Sequence, residues 1–184
     1  VPTALWTFMR EACHLPSNTL QAVPGAELPE PDRSLLNHAR DMTSTLAAFH
    51  QSPLRVEVLQ QVRQDDLYLR EVFLRTQSLD QIVEYGVIAI ALEQFTPPQR
   101  EAIQGGYGPL GGLLHHFEIP FTSAPIRYFS VSTALLTRLP FGGPRAERCH
   151  GRLNHLSKPT GEPLAWILEI LPPPPARPVA VSHS

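Results

Sequence analysis

The chain has 184 residues, of which 42% are hydrophobic and 17% charged, with a formal net charge of -2. This length is enough for a domain with its own core, and this composition is typical of globular rather than disordered chains. The near-balanced charge, with no basic stripe, argues against a nucleic-acid-binding protein, which needs clustered lysine and arginine.

Targeting and redox features of the sequence predict a cytoplasmic protein. The longest apolar run, 87–92, is far too short to cross a membrane, and the N-terminus lacks the basic-flanked hydrophobic segment of a secretory signal. Two cysteines, Cys13 and Cys149, in a chain of this length indicate reduced thiols. Neither they nor the eight scattered histidines show the spacing of metal ligands, so we expect no metal and no cofactor.

The N-terminal third predicts a loop followed by helix. Residues 15–31 contain four prolines and are expected to form a surface loop without regular structure. Asp32 is a good N-cap, and one helix from there to His50 is the simplest interpretation. Alternatively, Asp41 caps a second helix, and two short helices replace the long one. The apolar residues that support a helix recur at four- and three-residue spacing: Leu35, Ala39, Met42, Leu46 and Phe49.

Strand patterns and one helical insertion follow. Segments 54–63, 67–75 and 81–92 are rich in strand-forming residues and are joined by short polar turns, which favour antiparallel hairpins. Thr96 and Pro97 then have the pattern of an N-cap followed by proline at the first helical position. This helix is expected to end at the next glycine pair.

The glycine pair, Gly105–Gly106, leads into "YGPLGG" at 107–112, which is too rich in glycine for plain helix. A second short helix is predicted over 113–117, and the helix–glycine turn–helix unit is expected to be a mobile flap. Two or three further strands are predicted near 126–133, 148–157 and 163–171.

Together these elements predict an α+β fold: a single antiparallel sheet of about six strands with helical flaps on one side. One domain is expected over 1–172, followed by a proline-rich, loosely ordered tail over 173–184.

Two charged residues interrupt apolar strand patterns. Arg70 shares a predicted strand face with Tyr68, Val72 and Leu74, and Glu169 lies within the apolar run "LAWILEIL". Buried charges are rare unless they are paired. One interpretation is a structural ion pair between Arg70 and Glu169. The other is that both line a pocket, where arginine binds a ligand carboxylate and the glutamate, with a raised pKa, hydrogen-bonds a hydroxyl.

Several segments resemble one known family. In order and spacing, three of them look like the motifs of the chorismate lyases: "YLREVFL" (68–74), "YGPLGGLL" (107–114) and "WILEILP" (166–172). "DMTSTLAAFH" (41–50) is similar to the early "SMT" segment of that family, and 151–169 resembles its last hairpin. The likeness covers about 33–172 and implies the chorismate lyase-like fold.

The resemblance implies a cofactor-free lyase that converts chorismate to 4-hydroxybenzoate and pyruvate in the synthesis of quinone precursors. Carried over by position, Arg70 and the backbone N–H of Met42 would hold the ring carboxylate. Glu169 and the backbone N–H of Leu110 would contact the ring hydroxyl. Arg70 and Glu169 are therefore the candidate catalytic residues, and the partner is a small molecule, with no nucleic acid and no membrane span.

The chain departs from the family at two positions and leaves other functions open. Val87 and Gly112 stand where enterobacterial family members carry arginine, and Arg127 or Arg152 is a candidate to supply positive charge instead. One alternative function is non-catalytic binding of small aromatic carboxylates, as in ligand-sensing modules of the same fold. Another is an interaction protein that uses the P-x-x-P sequence of its tail.

Overall fold

The computed structural model describes residues 1–136, 139–140 and 147–173. The predicted tail therefore lies outside the described residues, apart from Pro173. The described chain contains five α-helices: α1 Thr3–Glu11, α2 Asp32–Leu36, α3 Met42–His50, α4 Pro97–Gln104 and α5 Leu110–His116. It contains seven strands: β1 Gln21–Ala22, β2 Leu54–Gln64, β3 Leu67–Thr76, β4 Ile82–Ala91, β5 Thr122–Ser132, β6 Arg148–Ser157 and β7 Pro163–Ile170.

The strands form one antiparallel sheet in the order β1-β5-β6-β7-β4-β3-β2. The predicted class, α+β with a single antiparallel sheet, is confirmed. The sheet has one strand more than expected, because Gln21 and Ala22 pair with Ser130 and Phe129. The expectation that 15–31 lacks regular structure is therefore wrong at this short strand and at two single-turn 3₁₀-helices.

The two faces of the sheet are covered differently. On one face α1, which the sequence analysis did not predict, packs its buried residues against inward-facing residues of β3, β4 and β7. Helices α2 to α5 lie on the other face, where β3 presents Tyr68, Val72 and Leu74 to them. Successive side chains of a strand point to opposite faces, so Arg70 lies on the face of α2 to α5.

Local chemistry sets the ends of the helices. The Asp41 carboxylate accepts a hydrogen bond from the Ser44 backbone N–H at 2.8 Å, which is an N-cap, so α2 and α3 are separate helices as the second interpretation expected. Thr96 and Gln99 form a capping box with Pro97 at the first position of α4. Helix α5 begins at Leu110, three residues earlier than predicted. No helix in the described residues is long and apolar enough to cross a membrane.

Candidate ligand-binding site

A cavity lies between the sheet and the N-terminal ends of α3 and α5. It holds about 440 Å³ of space between atoms, its open mouth included. The helices contribute Asp41, Met42, Thr43, Pro109, Leu110 and Gly111. The sheet contributes Val56, Arg70, Val72, Leu74, Glu84, Ile88, Asn154, Leu156, Ile167 and Glu169.

All four residues that the sequence analysis selected line this cavity. Arg70 and Glu169 come from β3 and β7, which are separated in the sheet by β4. Met42 and Leu110 are the first residues of α3 and α5. Their backbone N–H groups therefore have no acceptor within their own helices, because the first turn of a helix leaves its donors unpaired.

Arg70 is the only positively charged side chain among the described residues that line the cavity. It is 0% exposed, and its Nη1 donates to the Ile103 carbonyl at 3.2 Å. Its Nε and Nη2 have no hydrogen-bond partner within the described residues. Burial lowers the pKa of Arg70 and the neighbouring Tyr68 opposes that shift, but a guanidinium stays protonated in proteins. An anion would stabilise a buried cation with two such nitrogens, and a ligand carboxylate would supply it.

Glu169 is paired, but with Arg152 and not with Arg70. The Arg152 Nε donates to Glu169 Oε2, and both side chains are buried. The two residues lie directly opposite each other on β6 and β7. Burial raises the pKa of Glu169, and the Arg152 guanidinium opposes this rise. The interpretation of a structural Arg70–Glu169 ion pair is therefore wrong.

Arg152 is also committed to the backbone between α2 and α3. Its Nη1 donates to the carbonyls of Leu36 at 3.0 Å and His38 at 2.9 Å, and its Nη2 donates to the Arg40 carbonyl at 3.2 Å. Arg127, the other candidate for a compensating charge, is exposed on β5 and does not line the cavity. Most Arg152 donors are therefore already used, and neither arginine lines the cavity.

Glu84 is a cavity residue that the sequence analysis missed. It is 3% exposed, and its Oε2 has no hydrogen-bond partner within the described residues. Burial, followed by the negative charge of Glu169, raises its pKa well above the usual 4.5. The sequence did contain a sign of this residue. Glu84 shares a face of a predicted strand with Gly86 and Ile88, so it is a charge within an apolar strand, as Arg70 is.

The two helix ends that cover the cavity are joined to each other. The His115 Nε2 lies 3.1 Å from Asp41 Oδ2, which links α5 to the cap of α3. Burial would raise the pKa of Asp41, but the hydrogen bonds from Ser44 and His115 prevail and lower it. Gly111 permits this approach, because a Cβ at that position would lie 2.8 Å from Asp41 Oδ1 and 2.9 Å from Thr43 Oγ1.

The cavity has a charged or polar group at each end, Arg70 at one and Glu84 at the other, and Glu169 lies between them in register. Arg70 is paired in register with Ile88, whereas Glu84 is paired with Leu74, four residues along β3. At about 3.3 Å per residue this places the backbones of Arg70 and Glu84 about 13 Å apart along the strands. Aliphatic side chains also line the cavity: Val72 lies between the two ends, and Ile88, Ile167 and Leu156 lie beside Arg70. This arrangement fits a flat apolar ligand with a carboxylate at one end and a polar, uncharged group at the other.

No family model matches the chain, and no curated protein matches it. Solved structures that resemble it include gene product SA0254 from Staphylococcus aureus subsp. aureus N315. That structure is 12% identical, has a TM-score of 0.45, and is matched over 64% of this chain and 83% of its own.

Proposed function

We propose that this protein binds a small aromatic carboxylate in the cavity and that it is a chorismate pyruvate-lyase, which forms 4-hydroxybenzoate and pyruvate from chorismate. The observation that supports this proposal most directly is Arg70. A fully buried guanidinium with two nitrogens that lack a hydrogen-bond partner in the described residues is costly unless a ligand completes it. Its planar fork matches a carboxylate bidentately.

The remaining geometry is consistent with a bound aromatic ring. The aliphatic side chains of the cavity suit the faces of a ring, and the first residues of α3 and α5, whose N–H groups have no acceptor within their own helices, line the cavity. Glu169, held in place by Arg152, would receive the ring hydroxyl. These are the roles that the resemblance to chorismate lyases assigns to Arg70, Met42, Leu110 and Glu169.

The reaction makes modest demands on side chains. The C–O bond to the enolpyruvyl group breaks, the ring loses a proton and becomes aromatic, and the released enol takes up a proton to give pyruvate. Aromatisation supplies the driving force, so the protein contributes mainly by orienting the substrate and by excluding water. A buried cavity under two helix ends is suited to both tasks.

One observation favours a second candidate function, the non-catalytic binding of aromatic monocarboxylates. Chorismate carries two carboxylates, whereas Arg70 is the only cation among the described lining residues and Arg152 is already committed. A cavity with one uncommitted cation fits a monocarboxylate such as 4-hydroxybenzoate at least as well as a dianion.

Incubation of the purified protein with chorismate separates the two functions. A lyase releases 4-hydroxybenzoate, seen by chromatography, and pyruvate, detected with lactate dehydrogenase and NADH, in equal amounts. Arg70→Met is the matched control and is expected to abolish this release. Calorimetric binding of 4-hydroxybenzoate without turnover would support the second function. Absence of both turnover and binding would overturn both.

A further inference from the structure

Glu84 is a buried carboxyl group that the proposed function does not use. It lies at the end of the cavity opposite to Arg70, and its Oε2 is buried without a partner in the described residues. A buried unpaired carboxyl oxygen is costly, so its position in a cavity indicates a ligand group that completes its hydrogen bonding.

The charges around Glu84 favour its neutral, protonated form. The groups that act on it are the carboxylates of Glu169 on β7 and of Asp41 at the cap of α3, both negative, and the guanidinium of Arg152 on β6. Arg152 is already bonded to Glu169 and to backbone carbonyls. Two carboxyl groups at one site do not both ionise readily, and the one without a cation of its own keeps the proton.

Gly86 leaves room for the Glu84 side chain on the cavity floor. A Cβ at Gly86 would lie 3.2 Å from Glu84 Oε1 and 3.1 Å from Val72 Cγ2. The absence of a side chain at this position therefore lets the Glu84 carboxyl lie over the strand, beside the cavity. Glu169 is the direct partner of Gly86 in the neighbouring strand, two residues along from Glu84, and it is close enough for its charge to act on Glu84.

We infer that Glu84 determines specificity for a neutral hydroxyl at this end of the cavity: its O–H donates to the ligand hydroxyl oxygen, while Glu169 accepts the proton of that hydroxyl. A carboxylate retains acceptor capacity after one hydrogen bond, so Glu169 can serve Arg152 and the ligand together. A hydroxyl is both donor and acceptor and satisfies both groups, whereas a ligand carboxylate at this end would meet a negative charge. This inference deepens the proposed function and rests on it.

The test compares binding of 4-hydroxybenzoate, benzoate and terephthalate by calorimetry to the wild type, Glu84→Gln and Glu84→Leu. We expect the wild type to bind 4-hydroxybenzoate about tenfold more tightly than benzoate, the value of roughly one good hydrogen bond, and to reject terephthalate. Glu84→Gln keeps a neutral N–H donor and should keep this ratio. Glu84→Leu removes the donor and leaves Glu169 as the acceptor, so it should reduce the ratio severalfold without weakening benzoate binding.

Each other outcome has a definite meaning. If Glu84→Leu leaves the 4-hydroxybenzoate to benzoate ratio unchanged, or if Glu84→Gln reduces it as strongly as leucine does, the role of Glu84 is overturned while carboxylate binding stands. If Glu84→Leu weakens both ligands equally with a lowered melting temperature, Glu84 is structural and the inference is also overturned. If the wild type binds neither benzoate nor 4-hydroxybenzoate, the proposed function itself fails.

Discussion

Arg152 and Glu169 form a buried ion pair at directly opposed positions of β6 and β7. The same guanidinium holds the backbone between α2 and α3 through three carbonyls. Glu169 therefore has two roles. It lines the cavity, and it neutralises Arg152, the arginine that fixes the connection between α2 and α3. Arg70, in contrast, has no carboxylate partner within the described residues. The two buried arginines should respond to the same substitution in opposite ways.

Replacement of Arg152 by methionine is expected to destabilise the fold by about 3–5 kcal/mol, because it leaves the buried Glu169 charge uncompensated and frees the α2–α3 connection. Urea unfolding at neutral pH, followed by circular dichroism, measures the free energy of unfolding. A loss below about 1 kcal/mol would show that the pair is not a structural requirement.

Replacement of Arg70 by methionine is expected to leave the free energy of unfolding unchanged or to raise it, because the variant removes a buried cation that lacks a counter-ion and restores apolar packing. Binding of 4-hydroxybenzoate should be lost. Arg70→Lys should recover little of that binding, since a point charge does not replace a bidentate fork. Full binding by the lysine variant would contradict the role of Arg70 as the carboxylate receptor.

Glu169→Gln tests whether its structural and ligand roles can be separated. The change leaves Arg152 without a counter-charge, so we expect a clear loss of stability, together with weaker binding of 4-hydroxybenzoate. The loss of stability in the double variant Glu169→Gln/Arg152→Met should be smaller than the sum of the losses in the two single variants, because each single change breaks the same ion pair. Additive unfolding free energies would mean that the two side chains stabilise the fold independently.

The sheet was largely predictable because strands have a local sequence pattern, in which apolar residues alternate and short polar turns separate the strands. The alternation of apolar residues and the short polar turns predicted β2 to β4 to within about two residues at each end. Strand β5 begins earlier than expected, since Pro125 reads as a strand breaker but is accommodated at a register shift. Helix α1 was missed although Leu5, Phe8 and Met9 have helical spacing.

The site was predictable only in part, because its pairings depend on strand register. Arg70 and Glu169 were visible as charges in apolar strands, and both line the cavity. That Glu169 would meet Arg152 instead of Arg70 depends on the order of the strands, which alternation does not reveal. Glu84 was recognisable by the same reasoning that selected Arg70, as a charge on the inward face of a strand.

Glu84 should make the stability of the protein depend on pH. Its pKa is raised in the folded state above the usual 4.5, so between those two values the folded state binds more protons than the unfolded state. Stability should therefore fall as pH rises above about 4.5, by up to about 1.4 kcal/mol per pH unit from this group, until Glu84 ionises in the folded protein as well. Glu84→Gln should remove that part of the slope. An unchanged slope in urea unfolding across this range would mean that Glu84 is ionised in the folded protein.

Gly111→Ala tests the contact between α3 and α5, with Gly112→Ala as its matched control. At Gly111 a Cβ would lie 2.8 Å from Asp41 Oδ1, whereas at Gly112 the nearest contact is Pro109 Cδ at 4.0 Å. Alanine in a helix is favoured over glycine by about 1 kcal/mol, so Gly112→Ala should be neutral or stabilising.

The higher helix propensity of alanine applies at Gly111 as well, but there the new methyl group collides with the Asp41 carboxylate that caps α3. Loss of such a cap costs about 1 kcal/mol, in addition to the strain of the collision. We expect Gly111→Ala to be the less stable variant by about 2 kcal/mol and to bind 4-hydroxybenzoate more weakly, because the two helix ends can no longer close over the cavity. Urea unfolding and calorimetry on both variants decide the matter. Equal stability and equal ligand affinity in the two alanine variants would show that the approach of α5 to Asp41 contributes neither to the fold nor to the site.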